Sequence, residues 1–157
     1  MNIRLAIGTL FGTGNLPIAP GTWGSLFTLP MIYAAEYFIP NLGIPLLFAA
    51  CFVLSLYSAS VAIKQYGQDP AQFVMDECAG QSLVFILGGF SFTFTGDVLL
   101  LVFGFLLFRF FDILKPLGVD KLQNLPGEIG ILADDLLAGV YAFICLEGSI
   151  YLYQTLL

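Results

Sequence analysis

Two pairs of adjacent acids, Asp76-Glu77 and Asp134-Asp135, each stand where an apolar run begins. One carboxylate in such a place is explained by the positive end of a helix dipole. Two unscreened carboxylates at a membrane boundary repel each other unless a cation or a proton joins them, so metal binding competes evenly with capping. Gly80 follows Asp76 by one helical turn and Gly139 follows Asp135 by one turn, leaving room for another helix or a ligand to approach. Arg109, Asp112 and Lys115 are spaced i, i+3, i+6, so neighbours in the series are adjacent on a helix that Pro116 ends. Taken alone, these three read as a local ion-pair ladder.

A further segment, Gly12 to Ser25, is a Gly/Pro loop that opens into the first apolar run. Glycine permits unusual φ, proline holds the loop open, and Thr22 or Ser25 can cap the helix, so a phosphate could sit at its positive end beside Gly21. The plainer alternative is a surface turn with an N-cap, and Gly-rich loops are common.

Hard cations such as Mg²⁺ take oxygen ligands from one or two carboxylates and fill their shell with water and substrate phosphate oxygens. The chain has no histidine and no clustered cysteines, which disfavours zinc. With a cation held by the acids, Arg109 and Lys115 would meet the remaining charge of a phosphate. That suits phosphoryl transfer or hydrolysis governed by positioning and electrostatics.

The elements that must position these residues are apolar. Of the 157 residues 59% are hydrophobic and 10% charged, against about 25% charged in ordinary soluble domains. Mean hydropathy is +0.93. A water-facing surface cannot be covered from that supply, and no composition shift or polar linker divides residues 1–157 into more than one domain. The expectation is an all-α fold, a compact multi-pass membrane bundle of about five apolar helices with a polar site facing the cytoplasm. Gly43 to Ile63 is the clearest span and Cys78 to Thr95 a second uncharged run. Ser25 to Ile39, Val98 to Phe111 and Leu136 to Leu156 are weaker, being short or carrying Glu36 or Glu147. Ser55, Ser58, Ala59 and Ala62 make a small-residue stripe for close helix packing.

Tight turns are expected at Pro40-Asn41 and near Gly96-Asp97. Arg4, Lys64, Arg109, Lys115 and Lys121 then all fall on one membrane side, which the positive-inside rule makes cytoplasmic. Both acid pairs and Asp112 fall on that side too, while the C-terminus faces outward with Tyr151 and Tyr153 as interfacial anchors. The net charge of -6, with no basic cluster, argues against a nucleic-acid partner. Cys51, Cys78 and Cys145 read as small core residues rather than a disulfide or a nucleophile. The N-terminal stretch Leu5 to Phe11 lacks the small-residue cleavage site of a signal peptide.

The chain resembles the phosphatidylglycerophosphatase A family, small membrane enzymes that remove the terminal phosphate of phosphatidylglycerophosphate. The resemblance rests on Pro20-Gly21-Thr22 with Gly24-Ser25, on Asp76-Glu77 with Gly80, on Phe108 to Asp112 with Lys115-Pro116, and on Gly130-Ile131 with Asp134-Asp135 and Ala138-Gly139. Four blocks in the family's order cover residues from about 12 to 140. Two positions depart: Gly127-Glu128 stands where the family usually has Gly-Gly, and Leu132 where a Met is usual.

What the resemblance implies is a Mg²⁺-dependent lipid phosphatase of phospholipid biosynthesis in the bacterial inner membrane. Asp76, Glu77, Asp134 and Asp135, with Asp112, would hold Mg²⁺ against the lipid phosphate. Arg109, Lys115 and the Gly21, Thr22 and Ser25 segment would bind its oxygens. Either an Asp attacks phosphorus or a metal-activated water does so directly. The rival from another class is a small ion or proton-coupled transporter using intramembrane carboxylates. A purely structural subunit would leave the acid pairs unexplained.

Overall fold

The computed structural model describes residues 2–122, 125 and 127–156, and every described element is helical. A short helix α1 (Ile3–Gly8) and a single 3-10 turn (Thr13–Asn15) lead into α2 (Pro20–Phe38), α3 (Gly43–Tyr66), α4 (Met75–Val84), α5 (Phe94–Leu114), α6 (Val119–Leu122) and α7 (Glu128–Leu156). Among the described residues, α3 and α7 are the helices long and apolar enough to cross a membrane. At 24 and 29 residues they are about 36 and 44 Å long. The expected five apolar spans reduce to these two by that measure.

The centre of the bundle is α4. Its sequence is the least apolar of the long helices, yet Met75, Asp76, Cys78, Ala79, Gly80, Gln81, Ser82 and Val84 are all buried among α2, α3, α5 and α7. A helix buried on every side needs an apolar or small-residue coat. Here the neighbours supply it: Ser55, Ser58, Ala59 and Ala62 of α3 are buried as the stripe predicts. Meanwhile Phe27, Leu46, Val53, Leu99, Val102 and Phe103 point outward, the distribution expected where the surroundings are lipid.

Several boundaries differ from those read in the sequence. The run Cys78 to Thr95 is not one span, because α4 stops at Val84 and the chain turns through Gly88 and Gly89 at φ 76 and 90. Left-handed backbone of that kind is open to glycine at little cost. Gly96-Asp97 is therefore no turn but the first turn of α5. The turn at Pro40-Asn41 is present, with Asn41 at φ 66. Helix α7 begins at Glu128, with that acid in its first turn, so Asp134-Asp135 lie inside the helix rather than at its entrance. Of the cysteines, Cys51 and Cys78 are buried and free, whereas Cys145 is exposed on the outer flank of α7.

Candidate active site

The acid-bearing elements meet because glycines let the backbones touch. A Cβ at Gly139 would stand 2.6 Å from the Gly80 carbonyl oxygen, and one at Gly80 would stand 2.7 Å from the Asp135 carbonyl oxygen. Helices α4 and α7 thus cross with no side chain between them. That crossing brings Asp76, Glu77 and Asp135 together, one carboxylate oxygen from each lying within 4.8 Å of the others. Asp76 and Asp135 are each 5% exposed.

Helix α2 closes a second side. Its N-cap is Ala19 in the left-handed region, with Pro20 at the first helical position and no side-chain cap. Thr22 and Ser25 are therefore helical residues and do not cap the helix. Gly21 packs directly on the Glu77 carboxylate, where a Cβ would collide with Oε1 and lie 3.4 Å from Arg109 Nη1. Ser25 Oγ donates to the Gly21 carbonyl at 2.9 Å and accepts from Arg109 Nη1 at 3.4 Å. Thr22 is half-buried beside them. The start of α4 is tied down from the N-terminal side, since Val74 N donates to the Gly8 carbonyl at 2.9 Å and Gly14 rests on the Gln72 carbonyl.

The end of α5 supplies the bases. Arg109 Nη1 lies 2.6 Å from Asp112 Oδ2, the i, i+3 pair expected, while Arg109 Nε is buried without a partner. Lys115 does not continue the ladder. It is the C-cap of α5 at φ 45, and this left-handed turn carries its ammonium to Asp134 Oδ2 at 2.5 Å. Of the four acids expected at a metal, three converge and Asp134 is engaged by Lys115.

Asp76, Glu77 and Asp135 have no basic side chain in ion-pair contact among the described residues, and Glu77 Oε2 is buried without a hydrogen bond. Asp76 and Asp135 are buried and Glu77 half-buried, and three oxygen-only donors with an orphaned lone pair on Glu77 fit a hard divalent cation. Gln81, given no role in the sequence reading, is fully buried one turn after Glu77 with neither amide atom hydrogen-bonded. Its signal was an amide at i+4 from an acid.

The family model described as Phosphatidylglycerophosphatase A matches residues 6–150. A protein of Haemophilus influenzae named Phosphatidylglycerophosphatase A is 38% identical over 148 residues, covering 89% of this chain and 83% of its own length. The protein of that name in Escherichia coli is 33% identical, covering 87% of this chain and 76% of its own. A protein of Bacteroides thetaiotaomicron, provisionally named a phosphatidylinositol-3-phosphatase, is 37% identical with 90% of each chain covered. No solved structure matches the chain. With a family match running through nearly the whole sequence and named relatives covered over most of their length, the chain belongs to the phosphatidylglycerophosphatase A family and is a phosphatase.

Proposed function

We propose that this chain hydrolyses phosphatidylglycerophosphate to phosphatidylglycerol and phosphate, using Mg²⁺ held by Asp76, Glu77 and Asp135. The observation that carries the reading is the convergence of those three carboxylates from α4 and α7 within 4.8 Å of one another. When bound, Mg²⁺ supplies neutralisation of phosphate charge and polarisation of a phosphorus–oxygen bond. Arg109 and Lys115 flank the acids and attract the other phosphate oxygens. Asp112 holds Arg109 through its 2.6 Å ion pair, and Asp134 holds Lys115 through its 2.5 Å pair. Gly21 leaves space at Glu77 that a side chain would fill, and Thr22 and Ser25 line the same end of α2. The net reaction breaks the bond between phosphorus and the terminal glycerol oxygen, and water supplies the hydroxyl that phosphate gains.

The membrane arrangement belongs to the same reading. Helices α2, α3, α5 and α7 cross the bilayer, and α4 with residues 85–93 makes the remaining passage. Supporting this, residues 88–92 reach the far end of α2, where Gly88 abuts Glu36 and Tyr33 packs on Phe90 and Phe92. The five basic residues then face the cytoplasm of a bacterial inner membrane, and the lipid substrate reaches the acids from that side. None of the relatives' names refers to transport.

Phosphate release from defined lipid phosphates tests reaction, substrate and metal together. Release from phosphatidylglycerophosphate with Mg²⁺ and its loss in EDTA are the expected results. Because one relative carries a phosphatidylinositol-3-phosphatase name, phosphatidylinositol 3-phosphate is the second substrate to try. Preferential release from it would replace the glycerol substrate, and release undiminished by EDTA would remove the metal.

A further inference from the structure

Far from the acid cluster, α5 begins with another buried acid. Asp97 is 2% exposed. Its Oδ1 accepts from Ser91 N at 2.9 Å and Ser91 Oγ at 3.1 Å, which folds the loop before α5. Its Oδ2 is buried and has no hydrogen-bond partner. Fifteen residues separate Asp97 from Asp112 along α5, so about 22 Å lies between this carboxylate and the phosphatase site.

Asp97 lines two cavities at once. One, of about 520 Å³, lies between α5 and the last turns of α7 and is walled by Leu99, Phe103, Leu146 and Ile150, with Ser149 and Tyr153 toward its mouth. The other, of about 320 Å³, lies between α2 and α5 against Pro30, Tyr33 and Leu101. Such volumes are those of small-ligand pockets. Leu99, Phe103 and Tyr153 are exposed, so the larger cavity opens on the apolar flank that lipid would cover. A carboxylate with an open lone pair, set in an apolar cavity, is costly unless a donor or a cation reaches it.

We propose that this groove is a lipid site that selects a membrane phospholipid with a primary ammonium headgroup. The ammonium donates to the Asp97 carboxylate, whose buried Oδ2 turns toward the groove to receive it, and an acyl chain lies along the wall formed by α5 and α7. Charge complementarity selects that occupant. No Lys or Arg lines either cavity, so the net anionic charge of a glycerol-headed phospholipid would meet Asp97 uncompensated. A trimethylammonium head carries the positive charge but no N–H to donate. The site needs no reaction at the acid cluster and stands independently of it.

The test is native mass spectrometry of the full chain, released from detergent with equal amounts of dioleoyl phosphatidylethanolamine, phosphatidylcholine and phosphatidylglycerol. The wild-type chain is expected to retain one ethanolamine lipid about tenfold over the other two, the scale of a charge-assisted hydrogen bond. Asp97→Asn should bring the three lipids to parity. Ser149→Trp, which fills the groove without touching the carboxylate, should abolish retention of all three. Monodisperse elution reports folding, and if Asp97→Asn fails to fold, Ser149→Trp alone decides. Equal retention of the three lipids by the wild type, preference for the glycerol lipid, or an ethanolamine preference surviving in a folded variant would overturn the proposal.

Discussion

Both ends of the helix bundle bury acids, yet only one end gathers them. At the α4 and α7 crossing, Asp76, Glu77 and Asp135 share one small volume, with Arg109 and Lys115 beside them on carboxylate partners of their own. At the other end, Glu36 and Asp97 are as deeply buried, but each closes a separate loop: Glu36 accepts from Asn41 N at 2.9 Å and Asp97 from Ser91 N. A carboxylate that accepts a loop amide anchors backbone. Three that converge without a base create a deficit that a cation relieves. The difference is one of neighbours, not of burial or residue type.

The strongest way to break the comparison is to neutralise one acid of the cluster. Asp76→Asn and Asp135→Asn should each lower phosphate release on the order of 100- to 1000-fold, the scale of losing a group that stabilises transition-state charge. Assays at saturating Mg²⁺, with membrane insertion checked by fractionation, separate this from misassembly. Undiminished turnover in both variants would make the cluster another structural anchor.

Lys115 comes next. Lys115→Met removes the base proposed to meet the substrate phosphate and leaves Asp134 buried beside the site, and turnover should fall roughly 100-fold. Asp134→Asn keeps an acceptor for the Lys115 ammonium, so it should be milder by about tenfold. If Asp134 were a metal ligand equal to Asp135, its Asn variant would be as inactive as Asp135→Asn, and comparing the two rates decides.

Gly139→Ala alters no charge and sharpens the point that proximity is what distinguishes the two ends. The added Cβ would meet the Gly80 carbonyl at 2.6 Å, so α4 and α7 must part by several tenths of an ångström. Overpacking of that kind costs about 1–3 kcal/mol. Parting the helices also pulls Asp76 and Glu77 from Asp135, so the Mg²⁺ concentration for half-maximal rate should rise by roughly tenfold. A rate-against-Mg²⁺ curve superimposable on the wild type would show that the crossing does not set the cluster.

How much of this was legible in the sequence follows the same division. Asp76-Glu77 could be read because adjacent acids before an apolar run are an electrostatic anomaly in any fold. The tie between Lys115 and Asp134 could not, since it depends on a left-handed residue at the end of α5 that turns the side chain off the i, i+3 ladder. The break after Val84 was hidden because residues 85–95 stay apolar, and hydropathy does not distinguish helix from extended chain. Gly88-Gly89 was the local signal for it. Glu36 and Asp97 registered only as blemishes in a span and a turn, because the amides that bond one oxygen of each arrive from loops whose path no periodicity reveals.

The smallest effect on turnover is expected at Glu36. Glu36→Ala removes the acceptor for Asn41 N in the turn between α2 and α3, and the turn amide loses a charge-assisted bond. The cost to stability is about 1–3 kcal/mol. Turnover per folded molecule should nevertheless stay within about twofold of wild type, because α2 contacts the cluster through Gly21 at its opposite end, about 22 Å along the helix axis. Thermal unfolding in detergent and the specific rate, measured on the same preparation, read the two quantities separately. A loss of turnover comparable to that of Lys115→Met would mean that the far end communicates with the cluster through α2, and the two ends could no longer be treated as separate devices.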